Sequence, residues 1–144
     1  MNKILVLGGG SWGTTLANLL AEKDHDVSLW ARNPKIFKKF KDYWINNRYL
    51  PKYKISKNLK IVSDLKDAFF EVDIVIVAIP SKSFRSISSK ISMYLNNQKI
   101  LIASKGIENE TFMTMSEVFI DETNHSKKNI MILSGPNIAD EIMR

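Results

Sequence analysis

The residues best suited to chemistry stand near the start of the chain. Gly8, Gly10 and Gly13 are spaced G-x-G-x-x-G, directly after the apolar run Lys3–Leu7 and directly before a leucine-rich stretch. Each glycine has a job at that spacing. Gly8 permits a tight strand-to-helix turn, Gly10 leaves room for a diphosphate to touch the backbone, and Gly13 lets the helix pack close to the strand. Free backbone N–H groups and the positive end of the helix dipole then face the phosphates. The chemistry implied is dinucleotide binding; a glycine-rich turn without a ligand is the plainer alternative.

Other candidate residues sit where further strands end. The stretch Leu29-Trp30-Ala31-Arg32-Asn33 has no carboxylate to hold the ribose 2′-hydroxyl of NAD. Arg32 is placed either to fork a 2′-phosphate or to stack on adenine, so NADPH is favoured over NADH. In Ser104-Lys105-Gly106-Ile107-Glu108, a lysine falls where a nicotinamide or an anionic substrate would lie, beside a glycine that lets the backbone come near. Ser134-Gly135-Pro136-Asn137 offers bare N–H groups and an amide to an anion, with Asn137 placed to cap a helix beginning at Ile138. Around Pro80 a structural account suffices: the proline stops a strand and Ser81 caps the next helix. His25 and His125 stand singly, expected in surface turns, so no metal and no nucleophile are assigned.

Positioning these residues at one edge requires a particular set of elements. Residues 3–7, 27–31, 74–79, 99–103 and 130–133 are short and apolar at nearly every position, as parallel strands buried on both faces are; 59–62 is a weaker, edge candidate. Helical spacing appears over 14–23, 84–95 and 112–120, and Asp64 can cap a short helix ending near Phe70. The alternation predicts an α/β fold of Rossmann type, a doubly wound and mainly parallel sheet with helices on both faces. Residues 33–58 interrupt the rhythm. Ile36, Phe37 and Phe40 read as a helical start, followed by a loop through Asn46-Asn47-Arg48-Tyr49-Leu50-Pro51. An excursion of that length after the second strand usually has a task.

Composition narrows the classes. The 144 residues fit one domain, are 44% hydrophobic and 25% charged, and contain no cysteine, which removes disulfides, thiolate metal sites and cysteine nucleophiles. The net charge of +6 gathers between Lys35 and Lys60, where Asp42 is the only acid among nine basic residues. Seventeen lysines against four arginines point to a solvated lysine face and away from nucleic-acid recognition, while leaving a positive field for a small phosphorylated ligand. The first apolar run is cut by Gly8 well below the ~7–15 residues of a secretory signal core. No run is long enough to span a membrane, and a cytoplasmic location is expected. The sequence stops at Arg144 just after a helix start, which reads as truncation.

The segments GGGSWGTTLA, VSLWAR, NNRYLP, VIVAIPS, SKGIE and SGPNIADE, in order and suitably separated, together resemble the bacterial-type NAD(P)-dependent glycerol-3-phosphate dehydrogenases. The resemblance implies that Ser11, Trp12, Arg32, Asn33 and Tyr49 line the cofactor. It implies further that Lys105 meets both nicotinamide and substrate, that Gly135 and Asn137 approach the substrate, and that Ala139 returns to the cofactor. Residues 1–144 would be the nucleotide-binding half. A second, helical domain would supply the proton-donating lysine and close over dihydroxyacetone phosphate, so no catalytic residue is expected in this chain. A homodimer is expected of the whole protein. The sequence departs from the family at Asp24, which must turn left-handed where glycine or asparagine is usual, at Ser56 in place of a common proline, and at Asn137 in place of a frequent hydroxyl residue. The rival readings are the nucleotide half of a related dehydrogenase, of ketopantoate or 6-phosphogluconate type, and a non-enzymatic nucleotide-sensing module.

Overall fold

The structure is a computed structural model that describes residues 2–144. Strand β1 (Lys3–Leu7) is followed by helix α1 (Ser11–Ala21) and strand β2 (Asp26–Trp30). After an excursion come β6 (Lys60–Val62), α2 (Leu65–Ala68), β7 (Ile74–Val77), α3 (Ser81–Ile91), β8 (Lys99–Ile102), α4 (Met115–Thr123), β9 (Ile130–Ile132) and α5 (Ala139–Ile142). These strands form one sheet in the order β6-β2-β1-β7-β8-β9, every neighbouring pair parallel. The doubly wound α/β architecture expected from the sequence is therefore present, with β6 at an edge. The order reverses direction between β1 and β7, the point at which ligands collect beyond the carboxyl ends of such sheets.

The continuous apolar runs have a direct cause. Side chains alternate across the pleat, so β1 sends Leu5 and Leu7 into one core and Ile4 and Val6 into another. The first core is completed by Phe84, Ile87 and Ile91 of α3 and by Met115, Val118 and Phe119 of α4, with Phe84 and Phe119 meeting edge to face at 6.5 Å. The second holds Ala17 and Ala21 of α1 together with Phe37, Ile55 and Leu59 of the excursion.

The excursion itself corrects the sequence reading. Only a single 3-10 turn, Pro34–Ile36, is helical; the rest is a three-stranded antiparallel sheet of β3 (Phe37–Phe40), β4 (Tyr43–Asn46) and β5 (Leu50–Ser56). Phe37 and Phe40 are spaced as on a helix, but contacts between strands decide the outcome. Phe40 stacks on its register partner Tyr43 at 5.0 Å, the Lys54 ammonium lies 5.0 Å from the Tyr43 ring, and Lys39 lies 5.3 Å from that of Trp44.

Three smaller expectations also change. Asn137 does not cap α5, whose N-cap is Ile138 without a side-chain bond, because the Asn137 backbone N–H is turned back to the Gly135 carbonyl at 2.9 Å. Ser81 is the first residue of α3 and not its cap; Pro80 holds that place, again without a side-chain bond. His125 is buried: its Nε2 lies 2.9 Å from the Gln98 carbonyl oxygen and its ring stands edge-on to Phe119. Asp24 does turn left-handed, with φ of 59°.

Candidate functional site

Beyond the carboxyl ends of β1, β2, β7 and β8 lies a cavity of about 660 Å³. The strand ends crowd together there, which explains the glycines. Gly8 has φ of +125°, and a Cβ on it would meet the Ala78 carbonyl oxygen at 2.2 Å. On Gly13 a Cβ would meet the Gly8 carbonyl oxygen at 2.0 Å, so α1 lies against the end of β1 as closely as backbones allow. Gly10 differs: a Cβ there would touch nothing within 4 Å, since the residue faces open cavity.

Helix α1 starts at that open position with Gly10 as N-cap, no side-chain cap and no acidic residue in its first turn. Its N-terminal dipole and unpartnered amides therefore face the cavity unneutralised. Helix α3 also begins uncapped and without an acid, and its Ser83 lines the same cavity. Among the described lining residues, Arg32, Arg48 and Lys105 are cationic and none is a carboxylate. Two wall residues carry a buried polar atom without a partner, Nε1 of Trp12 and Nδ2 of Asn137. Such atoms are costly unless something binds them.

The residues singled out in the sequence largely converge. Gly8, Gly10, Ser11, Trp12, Arg32, Asn33, Tyr49, Lys105 and Asn137 line this cavity. Gly13 is packed behind it. Gly135 lines a smaller neighbouring cavity of about 370 Å³, which shares Ser104 and Lys105, and Ala139 opens α5 outside both linings. The Lys105 ammonium donates to the Gly135 carbonyl at 2.8 Å, joining the loops that follow β8 and β9. The Asn33 side chain accepts the Lys35 N–H at 3.1 Å and so fixes the turn after β2. Sequence reasoning passed over Arg48 and Gly9. Arg48 adjoins Tyr49 and lies over its ring at 5.3 Å, so adjacency to a singled-out residue was the available signal.

Two polar networks outside the cavity linings join neighbouring elements. The Arg85 guanidinium of α3 donates to both Glu108 oxygens at 2.8 Å and pairs with Asp121 and Glu122 of α4, holding the segment that continues from Lys105. Arg85 and the Thr111 hydroxyl together hold the Glu108 carboxyl down at about 2. In the second, the Tyr53 hydroxyl of β5 donates to Asp140 Oδ1 of α5 at 2.6 Å. That bond raises the Tyr53 phenol and, with help from Arg144, lowers the Asp140 carboxyl. Among the described residues no group of three His, Asp or Glu side chains is arranged to hold a metal, and no helix is long and apolar enough to cross a membrane.

Residues 3–144 match the family described as NAD-dependent glycerol-3-phosphate dehydrogenase N-terminus. The chain belongs to that family. A glycerol-3-phosphate dehydrogenase [NAD(P)+] of Acinetobacter baumannii is 42% identical over 141 residues, 98% of this chain and 39% of the relative. Another, of Psychrobacter cryohalolentis, is 39% identical over 99% of this chain and 32% of its own length. Among solved structures, the glycerol-3-phosphate dehydrogenase of Coxiella burnetii superposes with a TM-score of 0.86 at 29% identity, over 99% of this chain and 43% of that one. The chain thus spans between about a third and two fifths of the length of these dehydrogenases. Membership also separates it from the ketopantoate and 6-phosphogluconate alternatives, since the matching family is the glycerol-3-phosphate one.

Proposed function

We propose that residues 1–144 are the nucleotide-binding half of an NAD(P)H-dependent enzyme that reduces dihydroxyacetone phosphate to sn-glycerol 3-phosphate for phospholipid synthesis. The observation that carries this reading is the uncapped start of α1, opening from Gly10 onto a cavity whose described charges are all positive. Its chemistry suits a diphosphate-bridged, anionic ligand.

In this reading the backbone of Gly10, Ser11 and Trp12 holds the diphosphate. Tyr49, Asn33 and Arg32 receive the adenosine end, and Arg32 with Arg48 favours the 2′-phosphate of NADP over NAD. Lys105 reaches from the nicotinamide side toward the phosphorylated substrate, Gly135 and Asn137 border that substrate, and Ala139, outside both linings, is kept as a cofactor contact on the family resemblance alone. The bound cofactor supplies hydride to the carbonyl carbon of the substrate. The matching proton, delivered to the carbonyl oxygen, comes from a lysine of the second, helical domain that the family resemblance implies. A homodimer and a cytoplasmic location belong to the same proposal, supported by the family alone.

The test is a pair of titrations followed by an assay. Calorimetry is expected to show NADP(H) binding to residues 1–144 more tightly than NAD(H), with dihydroxyacetone phosphate reduced only by the protein at family length. Tighter binding of NADH rejects the cofactor preference. Turnover by residues 1–144 alone rejects the division of labour.

A further inference from the structure

Asn46 is the one asparagine that the structure buries completely, and it sits on neither the parallel sheet nor the cavity wall. It closes β4, directly opposite Phe37 of β3, and the β4–β5 pairing shifts register between Trp44 and Asn46. That irregularity coincides with a side chain that reaches three separate groups. Nδ2 donates to the Gly9 carbonyl at 3.0 Å and to Thr14 Oγ1 at 3.0 Å, while Oδ1 accepts the Tyr49 N–H at 3.2 Å.

The partners fix which end is which. The Gly9 carbonyl can only accept and the Tyr49 amide can only donate, so the side chain must present N–H₂ to the glycine loop and oxygen to the turn. The first contact holds the loop immediately before the open amides of α1. The second holds the short turn that carries Arg48 and Tyr49 into the cavity. Phe37 completes the seat: a Cβ on Gly9 would meet its ring at 3.3 Å and the Ala31 Cβ at 2.8 Å, so the antiparallel sheet rests on the glycine loop itself.

We infer that Asn46 is a positioning residue that locks the diphosphate rim and the adenosine rim of the cofactor cavity into one geometry, so that the antiparallel excursion sets cofactor affinity. The inference rests on the cofactor reading given above. No other side chain reproduces the pattern. Aspartate has the same shape but offers no N–H₂, which leaves the Gly9 carbonyl without its donor and places a buried negative charge beside the diphosphate.

The experiment uses the full-length protein and Asn46→Asp. The expected result is a Kd for NADP+, and a KM for NADPH, raised at least tenfold, with kcat at saturating NADPH within twofold of wild type. A merely structural role lowers the folded fraction and hence kcat, and leaves KM in place. Unchanged Kd and KM, or a loss confined to kcat, overturns the inference. A second measurement needs no variant: in the wild-type protein, the Asn46 side-chain amide protons are expected to shift and to exchange more slowly on addition of NADP+. No change in them overturns the inference even if the aspartate variant does not fold. Wild-type protein that binds NADP+ yet reduces no dihydroxyacetone phosphate sinks the reaction and leaves this inference supported by the Kd. Wild-type protein that binds no nucleotide sinks both.

Discussion

Helices α1 and α4 begin with the same physical problem, N–H groups that have no intrahelical partner, and solve it differently. At α4 the chain supplies its own answer: Thr114 accepts from the Glu117 N–H, and Glu117 reaches back to the Thr114 N–H at 2.8 Å, a complete capping box with an acid at the positive end of the dipole. The Thr114 backbone and hydroxyl hold the Glu117 carboxyl below its ordinary value, so it stays charged there. At α1 there is neither cap nor acid, only Gly10 facing open space. A helix start that could have been closed by one aspartate is left open where four strand ends converge. In the proposed reading, the missing cap and missing acid leave α1 open to a ligand's negative charge.

The contrast can be broken by force at the glycines. Gly13→Val places carbon where the Gly8 carbonyl already sits, 2.0 Å from the ideal Cβ, and is expected to cost about 3 kcal/mol in a urea titration. Gly10→Asp sharpens the comparison by giving α1 the cap it lacks. Nothing obstructs its Cβ, so the melting temperature is expected to hold or rise, while NADP+ affinity falls at least about tenfold, or ~1.4 kcal/mol. A variant that binds as before would show that the open amides do not hold the diphosphate. The reciprocal change, Thr114→Ala, opens α4. It is expected to cost ~1 kcal/mol and about 3 °C in melting temperature with NADP+ affinity unaltered, as read by thermal unfolding and calorimetry.

The smallest effect lies at the brace that joins α3 to α4. Glu108 is held at about 2 against an ordinary 4.5. A carboxyl lowered on folding stabilises the native state fully above its unfolded value and loses that contribution as pH falls toward the folded one. The gap in melting temperature between wild type and Glu108→Gln is therefore expected to be constant above about pH 5 and to shrink between about pH 4.5 and 2. A gap that widens on acidification contradicts the assignment.

The same contrast separates what could be read from the sequence from what could not. The parallel strands were legible because burial on both faces writes itself as unbroken apolar runs, as in Lys3–Leu7, and the glycine loop was legible because its spacing reports a local strand-to-helix turn. The antiparallel excursion was not. Phe37 and Phe40 satisfy a helical period, and only pairing across the turn of Lys41 and Asp42, together with docking on Gly9, makes them strand residues. Asn46 reads as a polar loop residue until the register places it opposite Phe37, with its amide on a carbonyl 37 positions away. His125 follows the same logic: its partners Gln98 and Phe119 come from folded contacts and leave no periodic trace.

The most direct test compares the two helix starts in one experiment, by following backbone amide resonances as NADP+ is added. The account predicts that the largest shifts fall on Gly10, Ser11 and Trp12, with Met115, Ser116 and Glu117 unmoved. Equal shifts at both helices, or silence at Gly10 to Trp12 under saturating nucleotide, would contradict it.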